Sequence, residues 1–367
     1  MFKSGHHILP MLTLVCINML NPRVSSAEGN KSVYYNLSIH AGSVLPHHIS
    51  MVYLNREYLR SIELNVWFGN PEGQKTHNPV LGPGYFYSSL GNKDVYGNFH
   101  AAYFGMLNQR ISKRLPVQLK TGLGIAYATK KFDLETNYFN RAIGSHLNAY
   151  GQISLSGKIN IVDDKLIFRP GISFHHISNG RVVTPNQGIN LLTLNAGLDF
   201  RSAHTHSGSF VLERDTITKG KGRFSVVFAP GIKDIDRRID KQIFTSSLIF
   251  DYGYIYRPER SLGIGISFFY NKTGAYLPVT GTEKGDSFFP FQSALHISLQ
   301  RDKGPLAFIL HPGIYIYNQA RDRPYMTNRL GIKYSFENNL TLQFSIKSHW
   351  IAIADYFEWG IGYEFNR

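Results

Sequence analysis

Apolar and polar residues alternate along most of the chain. In the last segment Phe357, Trp359, Ile361, Tyr363 and Phe365 interleave with Glu358, Gly360, Gly362 and Glu364; before it, Leu340, Leu342, Phe344 and Ile346 interleave with Thr341, Gln343, Ser345 and Lys347. The same rhythm runs through Leu262, Ile264, Ile266 and Phe268, through Phe224, Val226, Phe228 and Ile232, and through Val117, Leu119, Leu123 and Ile125. A period of two places alternate side chains on opposite faces of a β-strand, and its recurrence predicts an all-β protein. The pattern delineates strands at 33–43, 58–69, 82–90, 98–107, 117–127, 146–156, 165–178, 190–201, 222–233, 243–256, 261–271, 291–300, 305–317, 328–336, 339–348 and 355–366. Sixteen strands result, with fourteen as the alternative because the third and fourth are weakly patterned.

One face is greasy throughout, whereas the other mixes Gly, Ser, Thr, Gln, Lys and Glu in a way that suits a wet interior. This predicts an antiparallel transmembrane β-barrel of about 14–16 strands with lipid outside. Short gaps at 257–260, 301–304 and 337–338 follow even-numbered strands and read as periplasmic turns. Long gaps at 44–57, 128–145, 179–189 and 272–290 follow odd-numbered strands and read as surface loops. Two long gaps, 70–81 and 202–221, break the rule. The second reads either as a seam between an eight-strand unit and an added half, or as the join of two separate barrels.

Composition sharpens the picture. Aromatic residues make up 14% of the chain, with 22 Tyr and 25 Phe, as expected where rings girdle both membrane interfaces. Residues 1–27 read as a cleaved secretory signal: Lys3 precedes the apolar run from Ile8 to Leu20, and Ser25-Ser26-Ala27 offers small residues for cleavage. The remainder, 28–367, reads as the barrel, in the outer membrane of a Gram-negative cell. The sole cysteine, Cys16, falls in the signal, so no thiol chemistry is expected of the mature chain. The formal net charge of +14 becomes about +12 without Lys3 and Arg23. For an exported chain with no long basic run, this suits an anionic, phosphate-bearing lipid surface rather than nucleic acid.

No G-x-S-x-G, H-E-x-x-H, Walker or C-x-x-C motif is present. The histidine pairs His47-His48, His175-His176 and His204-x-His206 come with no third ligand at a fixed spacing, so neither metal nor cofactor is expected.

One hairpin carries chemistry. In strand 165–178, Phe168, Pro170, Ile172 and Phe174 share the lipid face, and the same parity brings His176 and Ser178 onto it at the outer end. Residues i and i+2 are neighbours there, so the imidazole can reach the hydroxyl and take its proton. After the loop, Asn190 begins the face that continues as Leu192, Leu194, Ala196, Leu198 and Phe200, and it offers a third group to orient the imidazole.

The run His176-Ile177-Ser178-Asn179-Gly180, followed by Pro185-Asn186, Gly188 and Asn190, resembles the signature of the PagL family of lipid A 3-O-deacylases: His-x-Ser-Asn, a short loop containing Pro-Asn, then an acidic residue opening the last strand. The resemblance extends more loosely over 31–201, including Ala142 to Asn148, while 222–367 looks like the additional barrel strands of an extended branch. It implies Ser178 as nucleophile, His176 as general base, and Asn186 with backbone N–H groups near Gly180 as the oxyanion hole. It also implies lipid A in the outer leaflet as substrate, other outer-membrane lipids as surroundings, and no cofactor. Asn190 stands where the pattern has Glu; an amide can hold the imidazole tautomer but cannot stabilise an imidazolium by charge. Asn179, Pro185 and Gly188 read as supports of the loop.

Several neighbours have blander readings. His175 faces the lumen by parity, and Arg181 and Lys233 read as solvated loop cations. The segment His47-His48-Ile49-Ser50 repeats the tetrapeptide at 175–178 but lacks the Asn-Gly and Pro-Asn that follow it there, and is assigned no role. The favoured function is hydrolysis of an ester-linked acyl chain of lipid A on the lipid-facing wall. The competing readings are a passive channel or scaffold barrel and a phospholipase-type barrel.

Overall fold

The computed structural model describes residues 31–68, 80–108, 117–162, 165–206, 220–236, 239–257, 259–276, 289–318, 324–350 and 353–366. The expected signal, 1–27, and nearly all of the 70–81 gap lie outside the described residues. All sixteen expected strands form: β1 (Lys31–Val44), β2 (Leu59–Phe68), β3 (Val80–Ser89), β4 (Asn98–Asn108), β5 (Val117–Ala128), β6 (Leu147–Gly157), β8 (Leu166–Ser178), β9 (Ile189–His206), β10 (Gly222–Asp236), β11 (Ile239–Arg257), β12 (Arg260–Asn271), β13 (Phe291–Lys303), β14 (Leu306–Tyr317), β15 (Met326–Ser335), β16 (Leu340–His349) and β17 (Ile353–Asn366). A short additional strand, β7 (Ile159–Val162), pairs with the start of β8, and one helical turn and a half, α1 (Ile49–Leu54), follows β1.

The strands close twice rather than once. β1 pairs with β9, Leu37 opposite Leu198, and β6 pairs with β8, Ala149 opposite Ser178, which closes a first barrel of eight strands. β10 pairs with β17, Val226 opposite Tyr363, which closes a second. The expectation of a single 14–16-stranded barrel is therefore corrected to two eight-stranded barrels. Periodicity is a local signal, whereas closure depends on which distant strand satisfies an open edge. The second anomalous gap, 202–221, falls where one barrel ends and the next begins.

Parity holds in both barrels. Ile39, Phe104, Leu123, Ile153 and Leu194 of the first, and Phe244, Ile264, Leu330, Trp359 and Ile361 of the second, stand exposed on the outer walls. An apolar band on this scale suits hydrocarbon rather than water.

The interiors are filled by paired charges. Buried Glu63 lies 2.6 Å from Lys120 Nζ, 3.1 Å from His40 Nε2 and 3.0 Å from Gln152 Nε2, and it also accepts from the Tyr103 hydroxyl. Arg169 pairs with Asp199, which in turn accepts from Asn36. In the second barrel Arg329 meets Glu358 at 2.6 Å and Lys333 meets Glu364 at 2.8 Å. Lys233, expected as a solvated loop cation, is instead buried in this lumen and paired with Asp355, because its parity on β10 points it inward. His175 faces the first lumen as expected, stacked on Phe86 at 4.2 Å. Eight strands enclose a space just wide enough for side chains to fill, and among the described residues these paired charges occupy both lumens, which disfavours the channel reading.

Removal of the carboxylate at Glu63 strands Lys120 and His40 in the lumen. Glu63→Ala is expected to cost about 3–5 kcal/mol and to lower the temperature at which the compact, heat-modifiable band is lost on gels, whereas Glu63→Gln, which keeps an acceptor, costs less.

Candidate active site

The site begins with register. β8 and β9 pair so that His176 sits directly opposite Asn190, on the outward face that continues below as the exposed Phe174 and Ile172 and, on β9, as Leu192 and Leu194. His176 Nδ1 lies 2.6 Å from Asn190 Oδ1, so the ring nitrogen donates to the amide oxygen. The amide nitrogen of Asn190 is 3.4 Å from His47 Nδ1, and His47 Nε2 is 2.9 Å from the carbonyl oxygen of Gln187. One proton assignment satisfies the chain: His47 donates from Nε2 and accepts at Nδ1, Asn190 donates to it, and His176 is protonated on Nδ1. Nε2 of His176 is then the basic nitrogen.

Ser178 ends β8, 5% exposed under the following loop. Its Oγ accepts from Asn186 Nδ2 at 2.8 Å and from the Gly180 N–H at 3.2 Å. No hydrogen bond joins His176 to Ser178 among the described residues; the two oxyanion-hole candidates occupy the hydroxyl instead. Asn186 is itself fixed by the Asn179 N–H, which donates to its Oδ1 at 3.1 Å.

The loop between β8 and β9 is braced by the other support residues. Asn179 Nδ2 donates to Ser145 Oγ at 2.8 Å and to the Val183 carbonyl at 2.9 Å, and the Gly188 N–H donates to the Ala142 carbonyl at 3.0 Å. The stretch 142–148 thus backs the loop. Gly180 has φ +63°, and a Cβ there would stand 2.4 Å from the Phe357 ring of the second barrel, so no other residue fits. Pro185 borders the cleft beside Asn186.

The outward parity of the site meets a wall that no periodicity reveals. His176 and Ser178 open on a cleft of about 600 Å³ whose near side includes His47, His48, Arg181, Pro185 and Asn186 and whose far side is Ile235, Asp236, Ile353 and Ala354 of the second barrel. The two catalytic candidates therefore face a crevice between barrels rather than a bare wall.

His47, assigned no role from the sequence, is the residue the reading missed. It reaches the site because β1 pairs with β9: Val44 opposes Leu191, and the Leu45 N–H donates to the Asn190 carbonyl at 2.8 Å. Only knowledge that the first strand adjoins the ninth could have found it.

Outside this cleft, Asp251, His296 and His311 converge in the second lumen with ligand atoms within 4.8 Å of one another. His296 already bonds Asp251 at 2.6 Å, the two rings stack at 4.6 Å, and Arg329 and Lys333 are electrostatic neighbours that oppose a cation. The cluster reads as a buried hydrogen-bonded group centred on the Asp251–His296 contact.

With the geometry in place, comparison with known proteins bears on it. Residues 61–199 match the family described as lipid A 3-O-deacylase (PagL), and residues 222–367 match the acyloxyacyl hydrolase C-terminal domain. No curated protein matches the chain. Among solved structures it is similar to Neisserial surface protein A (12% identity, 47% of this chain and 99% of that one, TM-score 0.30). It is also similar to Acinetobacter baumannii OccAB2 (10%, 94% and 99%, TM-score 0.25) and the Pseudomonas putida toluene transporter TodX (10%, 100% and 93%, TM-score 0.19).

The tautomer is directly measurable. In ¹⁵N-histidine spectra the neutral His176 ring is expected to carry its proton on Nδ1, and Asn190→Ala is expected to shift it toward Nε2. An Nε2–H ring in the unaltered protein would contradict the hydrogen-bond chain.

Proposed function

We propose that this chain, which belongs to the PagL-like family of lipid A 3-O-deacylases, cleaves its ester with Ser178 as nucleophile and His176 as general base. The family matches make the protein an outer-membrane lipid A deacylase, a carboxylic ester hydrolase. The observation that carries the mechanism is the convergence of Asn186 Nδ2 and the Gly180 N–H on Ser178 Oγ, one turn of the strand pleat from an imidazole whose Nδ1 is engaged by Asn190.

In this reading the acyl chain lies in the crevice with its ester carbonyl at Ser178. Rotation of the serine about χ1 moves Oγ from its two donors toward His176 Nε2. His176 Nε2 takes the hydroxyl proton as Oγ attacks the carbonyl carbon. The carbonyl oxygen then holds the negative charge, and Asn186 and Gly180, relieved of Oγ, donate to it. Collapse breaks the ester C–O bond, and His176 returns the proton to the departing sugar hydroxyl, for which the 3-position is the family's expectation. A water, deprotonated by the same nitrogen, releases the fatty acid from the acyl-serine. Asn190 holds the imidazole in register without adding charge, with His47 fixing the amide's orientation in turn. Arg181 at the rim offers the sugar phosphates a cationic neighbour.

The reading is tested by expressing variants and recording lipid A mass spectra. Ser178→Ala and His176→Ala are expected to fold, retain heat-modifiable migration and leave lipid A fully acylated, while Asn186→Ala slows turnover by about 10²–10³-fold. Unchanged deacylation by the Ser178 or His176 variant would remove the mechanism. Purified protein offered phosphatidylethanolamine beside lipid A is expected to cleave lipid A, and the reverse preference would favour a phospholipase.

A further inference from the structure

The loop that carries both oxyanion donors is held from two sides. On its own barrel, the Gln187 and Gly188 N–H groups donate to the Arg141 and Ala142 carbonyls. Its central stretch is held by the other barrel. Asp234, buried at the end of β10, accepts at Oδ2 from the Thr184 N–H and the Thr184 hydroxyl, both at 2.8 Å, and its own N–H donates to the Arg181 carbonyl at 3.1 Å. Gln242 of β11 donates to the Val182 carbonyl at 2.9 Å, and the Phe357 ring of β17 covers Gly180. These contacts span residues 180–184, between one donor at Gly180 and the other at Asn186.

We propose that the C-terminal barrel is part of the active site, and that Asp234 is a positioning residue whose carboxylate holds the loop so that Asn186 and Gly180 keep their donors on the reacting oxygen. This deepens the Ser178 reading and rests on it. The physical case is one of entropy and aim. A loop segment free of those bonds samples many backbone states, and a donor displaced by an ångström loses most of its effect on a developing charge. A carboxylate oxygen that receives a backbone N–H and a hydroxyl from one residue fixes that residue's orientation as well as its position. Asp234 has no path to the ester except through Thr184 and the loop, which separates it from groups that touch substrate.

The test uses the full-length protein in detergent with lipid A as substrate. Asp234→Ala is expected to lower kcat, up to the about 10²–10³-fold that loss of one oxyanion donor costs, with little change in KM. Asp234→Asn is expected to restore most of the activity, because the amide oxygen still accepts both Thr184 bonds. In an Asn186→Ala background the Asp234→Ala effect should shrink, because one of the two positioned donors is already gone. Should Asp234→Ala fail to fold, Thr184→Val removes one of the same bonds from the loop side and is expected to lower kcat by a smaller factor. Wild-type kcat in folded Asp234→Ala or, where that variant does not fold, in Thr184→Val, or an undiminished Asp234→Ala loss on top of Asn186→Ala, would overturn the proposal. If Ser178→Ala is inactive while those results appear, only this inference fails; if Ser178→Ala still deacylates, the active-site reading itself fails.

Discussion

Backbone amides in hydrocarbon have no water to bond, so a sheet that enters a membrane must close on itself, and in this chain it closes after eight strands. The consequence reaches well beyond stability. Closure sets β1 beside β9 and β6 beside β8, so β8 lies inside a continuous ladder and its outer end has little freedom to move. The lumen behind it is packed by Glu63 with Lys120 and His40, and by Arg169 with Asp199. His176 and Asn190 meet because they are a register pair of this wall, which gives the imidazole an orientation that a loop could not hold.

The third position of the site is neutral. In the proposed mechanism a carboxylate there would favour the imidazolium, and an amide forgoes that charge. What remains is orientation, and the protein fixes it with a second histidine: His47 engages the Asn190 amide and is itself engaged by the Gln187 carbonyl. The chain of bonds turns a group with two equivalent-looking ends into one with a defined acceptor facing His176. The binding of Gln187, Asn186 and Gly188 into one short loop ties this chain to the proposed oxyanion donors.

The second barrel repeats the architecture of the first without its hairpin signature, yet it borders the same cleft. Asp234, Gln242 and Phe357 reach the loop, and Ile235 and Ile353 form the far wall. A nucleophile on a bare barrel wall would meet acyl chains only by lateral encounter. A crevice bordered by both barrels, with Ile235, Ile353 and Ala354 on its far side, can retain a chain and limit water at the ester carbonyl, which strengthens every donor aimed at it.

The fold class, the sixteen barrel strands, the inward or outward sense of their side chains and the pairing of His176 with Asn190 were all legible from the sequence, because each follows from a period of two or from pairing across one hairpin. Closure into two barrels, the recruitment of His47 and the far wall of the cleft were decided by tertiary structure alone. Each joins residues far apart in the chain: β1 with β9, β10 with β17, and the 179–188 loop with Asp234. Alternation of apolar and polar side chains specifies which face of a strand is wet; it carries no information about which distant edge that strand will find.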